Sequence, residues 1–356
     1  MKNFGRIALA TALLATLSAC GSNPAQSDNS SSASSTDTSV ASEETTTEEA
    51  SGEFTLYTSQ PEEDVAKLIA AFNEETPDIK VNVFRSGTEE VISKVLAEKK
   101  SGDVQADALL VSDSFTFEGL ADEDILQPYE SPELSEIPEE YIDTDHLYTG
   151  TKLIVTGLAV NTDMVDSSTV TSFADLTKPE LKDQVMIPSP LYSGAASLNL
   201  SIQMQQDTIG WKFYEGLKDN NVFVGQGNGT VLEGLQNGEH GVGILVDYMA
   251  NRAKADGAPI DFVYPAEGAL YVTEPIGIVK DSEHEAAAEK FVDFVLSEKG
   301  QQTASEMGYT PVRKGVDAPA GLKGVDEITP MPFDEAKVLE TREADKEKFA
   351  ELFGQN

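Results

Sequence analysis

Four stretches of the chain end a run of apolar or β-branched residues in hydroxyl-bearing residues or glycine, and each then enters a helical pattern. They are Thr58-Ser59-Gln60-Pro61, Ser86-Gly87-Thr88-Glu89, Ser112-Asp113-Ser114 and Tyr192-Ser193-Gly194-Ala195-Ala196. At such a turn the first N–H groups of the helix have no partner within it and carry partial positive charge. The hydroxyls add further donors. Several such turns converging on one cleft bind an anion without a lysine. Serine and threonine also cap helices anywhere, so one such turn alone says little. Four at one edge of a fold point to Ser59, Thr88, Ser112, Ser193 and Gly194 as donors to an anionic ligand.

Other chemistries find less support. His146, His240 and His284 stand in polar contexts without the clustered spacing that a metal site needs, so they read as solvated. No G-x-S-x-G appears, and Tyr192-Ser193-Gly194-Ala195-Ala196 lacks the flanks of a nucleophile elbow. Glu62-Glu63-Asp64 and Glu89-Glu90 read as solvated acids of first helical turns, complementing the dipole. Trp211 reads as a packing residue. No catalytic residue, metal or cofactor is therefore assigned. A surface hydrolase is the rival class, and these absences weigh against it.

The elements that carry these turns follow from hydrophobic period. FTLYTS is a strand and EDVAKLIAAFNEET a helix with Val65, Leu68, Ile69 and Phe72 on one face; KVNVFRS, EEVISKVLAEKKSG and DALLVS continue as strand, helix and strand. Gly102 sits where a helix C-cap belongs. This order predicts a parallel α/β core. After KLIVTGLAVNT a second set begins, with a helix over 195–206, and TEPIGIVK returns the chain to a single long helix over 285–308. A body of roughly 300 residues exceeds one comfortable core. The expected fold is α/β with two lobes and a cleft between them: 53–155 plus 275–356 as lobe 1, 156–274 as lobe 2.

The first 52 residues have a different character. Lys2 and Arg6 precede an apolar run over 7–17, and Leu17-Ser18-Ala19 leads to Cys20, the one cysteine among 356 residues. That is the build of a secretory signal over 1–19. The apolar run is shorter than the roughly 20 residues a membrane helix needs. Leu-Ser-Ala-Cys resembles the bacterial lipobox, which implies cleavage before Cys20 and acylation of its thiol. Residues 20–52, rich in Ser, Thr and Glu, read as a disordered tether. The formal net charge of −37 makes nucleic acid a poor partner.

Taken together, LYTSQPEEDVAKLIAAFNEETPDIKVNVFRSGTEEVISKVLAE, ADALLVSDSFTFEGLADEDILQPY, GLAVNT with SFADLTKPELKDQVMIPSPLYSGAAS, NGEHGVGILVDY and FVLSEKGQQTASEMGYTPVR resemble the extracellular solute-binding proteins of ABC importers. The similar branch takes ferric iron, phosphonates, sugar phosphates, thiamine and polyamines. The resemblance implies two hinged lobes of the type II periplasmic-binding-protein fold closing on a small molecule, which a membrane permease then receives. It also implies a monomer on the extracytoplasmic face of the cell membrane. Tyr248, with Asp247 beside it, stands where relatives place ligand contacts. Ferric binders carry two adjacent tyrosines there; this chain reads Asp-Tyr-Met-Ala. A phosphonate or phosphorylated compound is the expected ligand, with Asp113 or Asp247 available to an amine on it. Ferric iron bound by Tyr248 and Tyr192 is the alternative. Strands near 157–159 and 274–276 are expected to cross between lobes.

If Cys20 holds lipid, Cys20→Ser should shift the protein from the membrane fraction to the medium, or leave it unprocessed. Unchanged membrane fractionation would refute the anchor.

Overall fold

The computed structural model describes residues 51–324 and 327–355. Cys20, the signal over 1–19 and nearly all of the 20–52 tether lie outside them. Within the described residues no helix is long and apolar enough to cross a membrane.

Strand β1 (Gly52–Thr58) pairs in parallel with β2 (Ile79–Arg85) and β3 (Ala108–Leu110). The crossovers are α1 (Glu62–Glu75) and α2 (Thr88–Ser101). Gly102 closes α2 at φ 93°, a left-handed cap that glycine reaches without a Cβ penalty. Val65, Leu68 and Phe72 are the buried stripe of α1. Phe72 meets Phe54 of β1 and Phe291 edge to face, at centroid distances of 6.5 and 5.2 Å.

The parallel set ends at β3. The next strand, β10 (Leu270–Val279), runs antiparallel to β3 through Ile276–Ile278 and antiparallel to β5 (Thr149–Asn161) along most of its remaining length. Thr149 to Thr156 of β5 lie against β10, whereas Thr156 to Val160 lie against β8 (Val242–Val246). Beyond β8 come β6 (Val185–Pro188) and β7 (Phe223–Gly225), again parallel. The path is β2-β1-β3-β10-β5-β8-β6-β7. Two parallel α/β halves are thus joined by an antiparallel pair, and every residue of β5 is buried.

The helix expected over 285–308 is two: α8 (Glu285–Leu296) and α9 (Glu298–Glu306). Ser297 is extended between them and accepts the N–H of Gly300 at 3.1 Å. A Cβ on Gly300 would lie 2.0 Å from the Phe294 carbonyl, so only glycine permits the bend. Hydrophobic period alone does not reveal such a break. The last helix, α10 (Glu335–Phe353), lies on α4 (Gly194–Met204) and α5 (Gly210–Asp219) of the second half. Phe349 meets the Tyr214 ring at 5.8 Å, and Lys218 donates to the Leu352 carbonyl. Its sequence specifies an amphipathic helix without specifying what it packs on, and α10 also reaches the first half through Arg342 on Asp113 and Lys346 on Glu89.

Two ion-pair groups bind the halves together, and both use acids read from sequence as solvated. Asp64 of α1 is fully buried; Arg252 of α7 (Asp247–Ala255) grips both its oxygens at 3.0 and 3.2 Å, and the Tyr309 hydroxyl donates to it at 2.6 Å. Arg342 of α10 donates to both oxygens of fully buried Asp113, at 2.9 and 3.0 Å, to Glu89 of α2 at 3.0 Å and to Ser197 of α4 at 2.9 Å. Lys346 adds a second cation to Glu89 at 2.7 Å. Removing one partner of a buried pair strands the other charge, at a cost of about 3–5 kcal/mol. Arg342→Met should therefore lower unfolding free energy by about that much in urea titrations. Lys80→Met, which breaks the exposed pair to Glu53, should leave it nearly unchanged. Equal effects from the two variants would contradict the reading of Arg342.

Candidate ligand-binding cleft

The carboxyl ends of β1, β2, β3, β6, β7 and β8 face a cavity of about 210 Å³. Of the eight expected ligand residues, seven line it: Ser59, Thr88, Ser112, Tyr192, Ser193, Gly194 and Tyr248. Asp247 does not. Gln60, Arg85, Asn228 and Glu274 line it as well, and sequence reasoning did not select them.

Three helices point their first turns at this space. Helix α2 starts after Gly87 and α6 (Asn228–Gln236) after Gly227, neither with a side-chain cap. Helix α4 starts after Ser193, whose hydroxyl oxygen accepts from the Ala196 N–H and from the Asn228 amide, at 3.3 and 3.2 Å. With both acceptances taken, Ser193 has only its proton left to offer. The residue that caps α4 is therefore also one whose hydroxyl lines the cavity. Ser59 accepts from the Ser112 N–H at 3.3 Å, and Ser112 itself is 7 % exposed with a hydroxyl that no described residue satisfies. Such an unpaired buried group calls for a partner from outside the chain.

Arg85 supplies a full charge. It ends β2, its Nε donates to the Gln60 carbonyl at 2.9 Å and its Nη1 to the Tyr192 hydroxyl at 3.4 Å; no carboxylate pairs with it among the described residues. Its signal in the sequence is a cation directly before the Ser-Gly-Thr turn of an otherwise acidic chain. The Gln226-Gly227-Asn228-Gly229 turn follows the same strand-to-helix pattern as the four turns identified first.

The family model of the bacterial extracellular solute-binding protein matches residues 105–334. The chain belongs to that family. Its members bind small solutes for ABC importers and pass them to a membrane permease. The chain is 26% identical over 281 residues to the iron uptake protein A1 of Synechocystis, an alignment covering 74% of this chain and 77% of the relative. It is 25% identical to the spermidine/putrescine-binding periplasmic protein 1 of Haemophilus influenzae, covering 87% and 85% of the two chains. Among solved structures, the periplasmic binding protein AfuA from Actinobacillus pleuropneumoniae, with exogenous fructose-6-phosphate bound, superposes with a TM-score of 0.77 at 22% identity, covering 85% of this chain and 99% of that one. The fold is thus the two-lobed one of periplasmic binding proteins.

In this solute-binding protein the lobes touch at the cavity's lining through glycines. A Cβ on Gly87 of the first lobe would fall 2.5 Å from the Tyr192 carbonyl of the second, and one on Gly194 would fall 2.9 Å from the Thr88 side chain. The Glu89 N–H crosses the same gap to the Tyr192 carbonyl at 3.3 Å. Tyr248 is buried against Tyr309, with rings 4.1 Å apart, and burial holds its phenol well above the ordinary range. Behind it Asp247 accepts the Val155 and Tyr248 N–H groups at 3.1 and 2.8 Å, tying α7 to β5. Asp113 is likewise taken, by Arg342. Neither acid is placed to meet an amine on a ligand.

Gly87 has an ordinary extended backbone, φ −67° and ψ 154°, so Gly87→Ala tests space alone. It should weaken ligand binding by tenfold or more, about 1.4 kcal/mol, and leave the melting temperature of the unliganded protein nearly unchanged. Unaltered affinity would show that the lobes need not meet there. Burial raises the Asp247 carboxyl to about 7. The folded state then holds this proton more tightly than the unfolded chain does, so stability falls as pH rises from about 4 to 7 and levels off above. Asp247→Asn keeps an acceptor for both N–H groups and removes that loss. Its unfolding free energy should exceed wild type by roughly 1–3 kcal/mol at pH 8, with the advantage vanishing near pH 4. A variant less stable at pH 8 would show that the carboxylate is needed ionised.

Proposed function

We propose that this protein captures a small phosphorylated or phosphonate compound in the cavity between its lobes and delivers it to the permease of an ABC importer. It works as a monomer held at the extracytoplasmic membrane face by lipid on Cys20. The observation that carries the ligand's charge is the set of donors gathered around one cavity: the first turns of α2, α4 and α6, the Ser193 proton and the Arg85 guanidinium, with which no carboxylate pairs among the described residues. Helix termini with a guanidinium are an anion's surroundings. The fructose-6-phosphate bound to AfuA supports the same charge. Binding without turnover fits, because the hydrogen bonds of Ser193 reach an amide and a backbone N–H and no base.

Ferric iron is a second reading, favoured by one observation: Tyr192 and Tyr248 line the same cavity. Iron would require Tyr248 to lose a proton that burial makes it hold, beside a guanidinium that repels a trivalent cation.

A thermal-shift panel of phosphonates, sugar phosphates, spermidine, thiamine and ferric citrate tests the choice. Ligand at 100 times Kd stabilises by about 2.7 kcal/mol. The expected outcome is a large shift with a phosphate or phosphonate ester and none with spermidine. A shift with ferric salt, accompanied by a visible phenolate charge-transfer band that Tyr248→Phe abolishes, would replace phosphate with iron.

A further inference from the structure

The cavity is not lined by donors alone. It also carries the carboxylate of Glu274, which belongs to β10 at the point where its register on β5 shifts, between Thr273 and Pro275. Glu274 is 3 % exposed. Its Oε2 accepts from the Gln60 amide at 2.8 Å and from the Lys152 ammonium, and Lys152 is 3 % exposed itself. Since a carboxylate paired with lysine only accepts, the Gln60 amide must present its NH₂ here. The backbone carbonyl of Glu274 accepts from the Thr151 hydroxyl at 2.6 Å. Among the described residues nothing donates to Glu274 Oε1.

We infer that Glu274 Oε1 accepts a hydrogen bond from an uncharged hydroxyl of the ligand, making Glu274 a specificity-determining residue and the ligand a hydroxylated phosphate or phosphonate ester, not an aminoalkyl one. This rests on the anion reading of the same cavity. The charge of Glu274 is already matched by Lys152, so the site asks for a donor and not for a second cation. An ammonium on Oε1 would place two cations on one carboxylate in a nearly dry site, where like charges repel strongly. A hydroxyl adds its hydrogen bond without that repulsion. Size agrees: a cavity of about 210 Å³ far exceeds the roughly 10–15 Å³ needed to hold one water and leaves room beside an inorganic phosphate for a polyol body.

Calorimetric titration of the wild-type protein with a matched pair decides this: glycerol 3-phosphate and 3-amino-2-hydroxypropyl phosphate, which differ by one terminal hydroxyl exchanged for ammonium. Inorganic phosphate serves as the reference. Glycerol 3-phosphate should bind at least tenfold more tightly than either of the others. Lys152→Met leaves the carboxylate without its cation and should reverse the preference within the pair. Tighter wild-type binding of the amine, or equal binding of all three probes, overturns the hydroxyl assignment while leaving the anion reading in place. Failure of all three, with ferric citrate binding in their stead, overturns both.

Discussion

The structure turns on the antiparallel pairing of β5 with β10. These two strands carry the chain between the lobes, and at their middle lies the pair of Lys152 and Glu274, both nearly dry. Two charges taken out of water repay their desolvation only when the geometry is good and other groups satisfy what remains. Here Gln60 of the first lobe supplies one further bond, and the Lys152 ammonium lies 5.0 Å from the centre of the Tyr309 ring. Gln301 secures the same region: its amide donates to the Thr151 and Val295 carbonyls and accepts from the Val312 and Arg313 N–H groups. The junction between lobes is therefore also one wall of the cavity, so whatever meets Glu274 meets the strands that join the lobes.

Around that junction the remaining polar contacts divide the labour. Arg252 on Asp64 and Arg342 on Asp113 span the lobes on either side. The cavity itself is lined by helix first turns, the Ser193 hydroxyl and a guanidinium with which no carboxylate pairs among the described residues. That division reconciles a formal net charge of −37 with the anion proposed above as ligand. Surface acids act through about 8 Å of physiological screening, whereas helix termini and Arg85 stand at the cavity wall. Local donors at hydrogen-bond range outweigh the distant field.

Much of this was legible in the sequence because each signal was local. The alternation of β-branched runs and amphipathic helices identified β1, α1, β2 and α2 to within a residue or two, and the strand-end turns pointed to Ser59, Thr88, Ser112 and Ser193 as lining residues. What stayed hidden depends on contacts across long stretches of chain. Asp64 and Glu89 look like ordinary first-turn acids until Arg252 and Arg342, 188 and 253 residues away, are folded against them. Glu274 reads as a polar residue in a strand, and only the register shift and Lys152 give it a role. Asp247, next to a lining tyrosine, faces the sheet because the start of α7 turns its carboxylate back onto its own backbone and Val155. The break at Ser297 needed the approach of Gly300 to a carbonyl, which no period reports.

The central claim is that a phosphorus-bearing anion belongs between the lobes. The most direct measurement is analysis of what the protein carries from the cell: purify it gently, denature it, and examine the released small molecules by mass spectrometry, ³¹P resonance and metal analysis. The account predicts one compound near stoichiometric with protein that contains phosphorus and hydroxyl groups. Stoichiometric iron without phosphorus, or a phosphorus-free polyamine, would contradict it.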